Sequence, residues 1–189
     1  LHLCHHNLET IETTSTTTHK LLLEVCMAAK YEGNSINTHY TKHKLTNRDT
    51  KSQICTVLAR SFADIGDIVR GKDLFYGNPQ EKEQREKLDE KLKTIFGKIH
   101  DDVTKKGAQN YYNDDKENYY KLREDWWDAN RETVWKALTC DARDDAKYFR
   151  KTCGGDENTA TQASYKCRCS DKPNTDPPTY FDYVPQYLR

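Results

Sequence analysis

Between Ile54 and Gly71 the apolar residues Ile54, Leu58, Phe62, Ile65 and Val69 are spaced by four, four, three and four, which sets five apolar side chains on one helical face. Such a face is stable only against other apolar surface, so the rest of the chain must supply helices to cover it. Arg60, Asp64, Asp67 and Arg70 fall between those positions, and the pattern predicts a bundle helix covered on one side and wet on the other. Gly66 costs such a helix about 1 kcal/mol relative to Ala, which marks a close-packing point or a bend. Gly71 is placed to end the helix.

The covering elements are read from the same periodicity. Leu21, Leu22, Val25, Cys26 and Ala29 describe an amphipathic helix that opens after the polar turn Thr13–Thr18 and should end near Gly33. Ahead of it, Leu1, Leu3, Leu8 and Ile11 form a short apolar lead-in. Asn34 to Lys51 is polar and aperiodic and reads as a loop. Asn78-Pro79-Gln80-Glu81 is a capping-box opening for a long helix with the stripe Leu88, Leu92, Ile95, Phe96 and Ile99. Glu83 with Lys87 and Asp89 with Lys93 are i,i+4 pairs on its wet side. Thr104 to Asn113 then serves as a connection. From about Asp115 to Leu138 a further helix buries Leu122, Trp126, Ala129, Val134, Ala137 and Leu138, with Trp127 and Trp135 beside them. Asp141–Lys151 reads as a short helix stopped by Gly154-Gly155, Asp156–Pro178 as an extended loop, and Pro185 as the first turn of another helix. The expectation is an all-α bundle of about four or five helices with long loops, forming a single unit over residues 1–189.

Composition agrees: 35% apolar and 32% charged residues suit long, solvated helices better than a buried sheet. Lys plus Arg and Asp plus Glu both number 30, so no global field draws a polyanion and nucleic acid is a disfavoured partner. The longest aliphatic run is Leu21-Leu22-Leu23, far short of a membrane span, and the start lacks a signal-peptide layout. A chain that starts at Leu1 and stops in an apparent helix start reads as a fragment of something longer. No Asn-x-Ser/Thr acceptor occurs.

Seven cysteines in a chain of this length point to disulfides and an oxidising compartment. Cys4 lies at the edge, and its partner is expected upstream in the parent protein. The remaining six, Cys26, Cys55, Cys140, Cys153, Cys167 and Cys169, allow 15 connectivities. Helix-face positions favour Cys26 with Cys140, and Cys55 with one of Cys153, Cys167 or Cys169.

No segment supplies an activated nucleophile or a phosphate-cradling glycine loop, and Asp101-Asp102, Asp114-Asp115 and Asp144-Asp145 sit in polar sequence, so no catalysis and no cofactor are expected. His2, Cys4, His5 and His6 cluster and His39 and His43 are four apart, yet paired C-x-x-C spacing is absent and no metal site is assigned. Local basic clusters remain. On a helix, Arg143, Lys147 and Arg150 or Lys151 form an edge about 10 Å long, which suits a sulfated sugar. Lys105-Lys106, Lys166 with Arg168 and Lys172, and Lys42, Lys44 and Arg48 would extend it if the fold gathers them.

The wording of several segments carries a resemblance. Ala59 to Gly71 with Lys72-Asp73-Leu74, then Leu122 to Trp127, Ala129 to Cys140, and Asp182 to Arg189 follow in order. Together with Leu1-His2-Leu3-Cys4 and Val25 to Gly33, they resemble the Duffy-binding-like alpha domain of Plasmodium falciparum erythrocyte membrane protein 1. The resemblance covers nearly the whole chain and implies the middle helical subdomain, disulfide-tied, of a three-subdomain adhesin on the infected red-cell surface. It further implies cytoadherence and rosetting partners: heparan sulfate, blood-group A sugar or complement receptor one, with neighbouring subdomains of the same protein. The alternative is an antigenically variable scaffold whose neighbours bind the receptors.

Overall fold

A computed structural model describes residues 18–47, 53–74, 77–105, 111–112, 117–154, 159–169 and 176–189. The lead-in Leu1–Ile11, Cys4, His2, His5, His6, Arg48, Lys106 and Lys172 lie outside the described residues. Among the described residues four helices carry the fold: α1 (Thr18–Thr46), α2 (Ile54–Arg70), α3 (Pro79–Val103) and α4 (Tyr120–Leu138). A two-stranded antiparallel ladder of β1 (Lys151–Cys153) and β2 (Thr161–Gln162) follows, then 3₁₀ turns at Phe181–Tyr183 and Gln186–Leu188. Pro185 thus precedes a single 3₁₀ turn.

α2 is the centre. Ile54, Leu58, Phe62, Ile65 and Val69 are all buried, as their spacing predicts. The expected wet side is a correction: Asp67 and Arg70 are buried as well, because the C-terminal segment lies over them, and only Arg60 of the four charges is exposed. α4 runs antiparallel to α2, with Phe62 5.3 Å from Trp135 and 5.1 Å from Trp127 between ring centroids. A Cβ at Gly66 would stand 2.8 Å from the Trp127 ring, so this glycine is a close-packing point, not a bend. Gly71 ends α2 at φ 71°, where a side chain would be strained, and its N–H donates to the Ile68 carbonyl at 3.1 Å.

α3 opens with the capping box of Asn78 and Glu81 and buries its whole predicted stripe. Both of its predicted ion pairs form, Lys87–Glu83 at 2.6 Å and Lys93–Asp89 at 3.0 Å. α4 begins at Tyr120, later than expected, because Tyr119 takes a left-handed conformation at φ 55°. α2 covers its Trp127 and Trp135 side and Phe96 of α3 meets Trp126. Ala129, expected in the core, is left facing solvent between them.

α1 does not stop at Gly33. That glycine lets the end of α4 approach so closely that a Cβ would fall 1.9 Å from the Leu138 carbonyl oxygen. The helix then continues through Asn34–Thr46, the stretch expected to be a loop. Ile36 is its only buried residue there, and the last six positions are all exposed, so no apolar stripe was needed or encoded. The Thr38 and Thr41 hydroxyls donate to the Asn34 and Asn37 carbonyls at 3.0 and 2.8 Å, which keeps their polar groups within the helix.

Asp141–Lys151 is not a helix either. The Tyr148 N–H donates to the Ala163 carbonyl at 2.9 Å and the Cys167 N–H to the Ala146 carbonyl at 3.0 Å. Ala146 and Tyr148 are buried while Lys147 is exposed, a period of two that belongs to extended chain. Two disulfides hold this region, Cys55–Cys167 and Cys153–Cys169. Cys26 and Cys140 are unpaired, correcting the expected bond between them. Gly33 is the α1 residue that meets the end of α4, and Cys26 lies seven residues earlier, about 10 Å along the helix. A disulfide needs its Cα atoms within about 7 Å.

Candidate functional site

The predicted basic edge dissolves with its helix. Arg143 makes a two-pronged pair with Asp145 at 2.9 Å, both residues largely exposed. Lys166 donates to the Cys140 carbonyl at 3.0 Å, and Arg168 donates to the Thr139 hydroxyl at 2.8 Å and the Lys136 carbonyl at 2.6 Å. These two cations bind carbonyls left open at the end of α4, where the helix dipole also favours positive charge. Lys147, Arg150 and Lys151 stay exposed on the non-helical stretch that runs into β1, with the Arg150 guanidinium 5.1 Å from the Phe149 ring. Lys105 sits beyond the end of α3, on a separate element. Asp141, Asp144 and Asp145 interleave with the cations, so the local field is weaker than the sequence spacing suggests.

A second cluster is one that the sequence reading missed. The Asp182 carboxylate, fully buried, accepts from the Arg131 guanidinium at 2.8 and 2.9 Å and from the Trp127 indole N–H at 2.9 Å. Arg70 reaches Glu124 at 3.0 Å and Asp67 at 3.1 Å and donates to the Asp182 carbonyl. Arg189 bridges Asp64 at 3.0 Å and Asp67. Burial raises the carboxyls of Asp64 and Asp67 above the ordinary carboxylate range, while Arg189 pulls both part of the way back. Burial first, then hydrogen bonding to Asp128 at 3.0 Å, pushes the Tyr183 hydroxyl upward. The network fastens the C-terminal segment across α2 and α4. Its only sequence signal was the charge within α2, which periodicity alone assigns to solvent.

Between the end of α2 and the start of α3 lies a cleft lined by Asp73, Lys82, Arg85, Glu86 and Asp89. Its charges cancel in pairs, Arg85 with Asp73, Lys82 with Glu86 at 3.8 Å, and Asp89 with the buried Arg123 at 3.0 Å. Exposed aromatic surface gathers on the C-terminal segment instead, at Tyr180, Tyr183 and Tyr187, with Arg131 held 5.3 and 5.2 Å from the first two rings. Among the described residues no group of three or more metal-ligating side chains converges, and no helix is long and apolar enough to cross a membrane.

A family model, the Duffy binding domain, matches residues 1–189. No curated protein matches the chain. Among solved structures, the chain is 44% identical over 99% of its length to the NTS-DBL1-alpha and CIDR-gamma double domain of PfEMP1 from the Plasmodium falciparum varO strain, with a TM-score of 0.76. It is 45% identical, again over 99%, to the NTS-DBL1(alpha-1) domain from the same strain, with a TM-score of 0.75. It is 34% identical over 99% to the PfEMP1 IT4var13 DBLbeta domain solved bound to ICAM-1, with a TM-score of 0.68. The chain spans only 25%, 40% and 40% of those three structures.

Proposed function

The chain belongs to the Duffy binding domain family, and from that membership we propose that it is part of an adhesin exposed on the infected erythrocyte, binding a host receptor or red-cell glycan in cytoadherence and rosetting, with no catalytic role. The observation that carries the reading is the likeness over 99% of the chain to a domain solved in complex with ICAM-1. The build of the molecule supports it. α2 is held by packing on α4, by a disulfide spanning 112 residues and by the charged C-terminal network, so surface segments sit on a stiff platform. Heparan sulfate and blood-group A sugar are the glycans proposed, with complement receptor one as the protein partner and neighbouring subdomains of the parent protein packed alongside.

The proposed sulfated-glycan contact is Lys147, Arg150 and Lys151, which lie on the short non-helical stretch running into β1 and carry no ion pair among the described residues. Arg143, Lys166 and Arg168 border it but are engaged with Asp145 and with α4, Lys105 sits past the end of α3, and Lys106 lies outside the described residues. Replacing Lys147, Arg150 and Lys151 by alanine should lower the salt at which the chain leaves immobilised heparin without changing its unfolding midpoint. Unchanged elution sinks that contact. The interleaved Asp141, Asp144 and Asp145 favour the competing reading, a variable scaffold whose neighbouring domains bind, and that reading predicts no retention at all.

A further inference from the structure

His39 and His43 had no spatial relation in a loop. On the continuous α1 they acquire one: residues four apart on a helix lie on the same face, about 6 Å apart along the axis. Both are exposed, and neither ring has a hydrogen-bond or ion-pair partner among the described residues. Lys42 flanks His39 at i+3, whereas Lys44 turns away and stands 5.6 Å from the Tyr40 ring. We propose that His39 and His43 form a two-imidazole chelate for a borderline transition-metal dication, Zn(II), Ni(II) or Cu(II). This inference stands apart from the adhesion reading.

Imidazole nitrogen is a preferred ligand for these ions, at a bond length of about 2.0–2.1 Å, and two imidazoles one turn apart can take adjacent positions around one ion. The backbone between them is already helical, so chelation does not have to order it. The Thr46 hydroxyl and the Asn47 amide both donate to the His43 carbonyl, at 3.0 and 3.1 Å, fixing the last turn beneath the second ligand. The C-terminal end of the helix dipole favours a bound cation, and the charge of Lys42 opposes it. With no third protein ligand on this face among the described residues, the ion keeps open positions for water or for a donor from a partner.

Nickel(II) is the probe, and the protein is the whole chain carrying His2→Asn, His5→Asn and His6→Asn, so that N-terminal imidazoles do not compete. Calorimetric titration should show one site lost on His43→Ala, with affinity falling about 100-fold, the low end of what joining two donors on one scaffold gains. The deciding variant keeps the histidine number and breaks the spacing. His39→Ala with Thr41→His leaves imidazoles two residues apart, on different faces of α1, and should lose affinity as fully as His43→Ala. Nickel affinity within twofold of the parent in that spacing variant overturns the proposal, and so does a parent that binds no nickel. Far-ultraviolet circular dichroism on each variant confirms that α1 persists, so lost binding reads as lost chelation.

Discussion

Removing the two disulfides one at a time should separate a long-range staple from a local clip. Cys55–Cys167 closes a loop of 112 residues and Cys153–Cys169 one of 16. In the chain-entropy treatment the cross-link removes about 2.1 + 1.5R ln n cal/mol/K from the unfolded chain, giving about 4.8 kcal/mol for the first and about 3.1 kcal/mol for the second at 25 °C. Alanine replacements add cavity terms of one sign at both bonds, since all four sulfurs are buried. Cys55→Ala with Cys167→Ala should therefore cost about 1.7 kcal/mol more than Cys153→Ala with Cys169→Ala. At about 2–4 °C per kcal/mol for a chain of this size, its unfolding midpoint should lie about 3–7 °C lower. Urea titrations followed by tryptophan fluorescence suit the comparison, because the Trp135 indole N–H donates to the Cys167 carbonyl at 3.1 Å and reports on that staple directly. Equal losses, or the larger loss on the 16-residue loop, would refute the picture of α2 held by a long-range bond.

Further outcomes follow from the packing and the charge network. Gly33→Ala sets a Cβ 1.9 Å from a backbone oxygen and should cost about 3 kcal/mol, whereas Gly97→Ala meets the outer end of the Tyr119 side chain, its hydroxyl at 3.1 Å, and should cost much less; similar midpoints for the two variants would contradict the close α1–α4 contact. Arg131→Met strands the buried Asp182 carboxylate and should lose about 3–5 kcal/mol, most of it recovered when Asp182→Leu is added; additive losses in urea titrations count against the pair. Asp64 and Asp67 have carboxyls raised in the folded state, so the native chain holds protons that the unfolded chain has released. Their contribution is full at acid pH and is lost as pH rises from about 4 through the raised values. Asp64→Asn should remove part of that loss, so its stability should climb more between about pH 4 and pH 6; a slope equal to the parent's would be the contrary result.

What was legible in the sequence was whatever buries apolar surface with a period. The stripes of α2 and α3, the capping box at Asn78 and the closing Gly71 are where the spacing placed them, because each is a local property of a few residues. The i,i+4 ion pairs of α3 were legible in the same local way, and what failed was reading a loop from a missing stripe and solvent or a helix face from charge that distant segments engage. Asn34–Thr46 is helical with a single buried side chain, so it leaves no period to read. Arg143, Lys147 and Arg150 have helical spacing, yet Ala146 and Tyr148 pair with Ala163 and Cys167, contacts set by a disulfide to α2 that no local pattern contains. Asp67 and Arg70 look solvated until Arg189 and Asp182, more than a hundred residues later, fold over them. The family resemblance was legible because it rests on wording spread along the chain, and it located the fold without locating a binding residue.

The most direct test of adhesion by this chain is retention of the purified, intact chain on four surfaces run side by side: immobilised heparin across a salt gradient, blood-group A sugar, complement receptor one and ICAM-1. The adhesion account predicts retention on at least one, and on heparin elution above about 0.15 M salt, where charges separated by more than about 8 Å are already screened. Flow-through on all four would contradict it and leave the chain as the scaffold on which neighbouring domains do the binding.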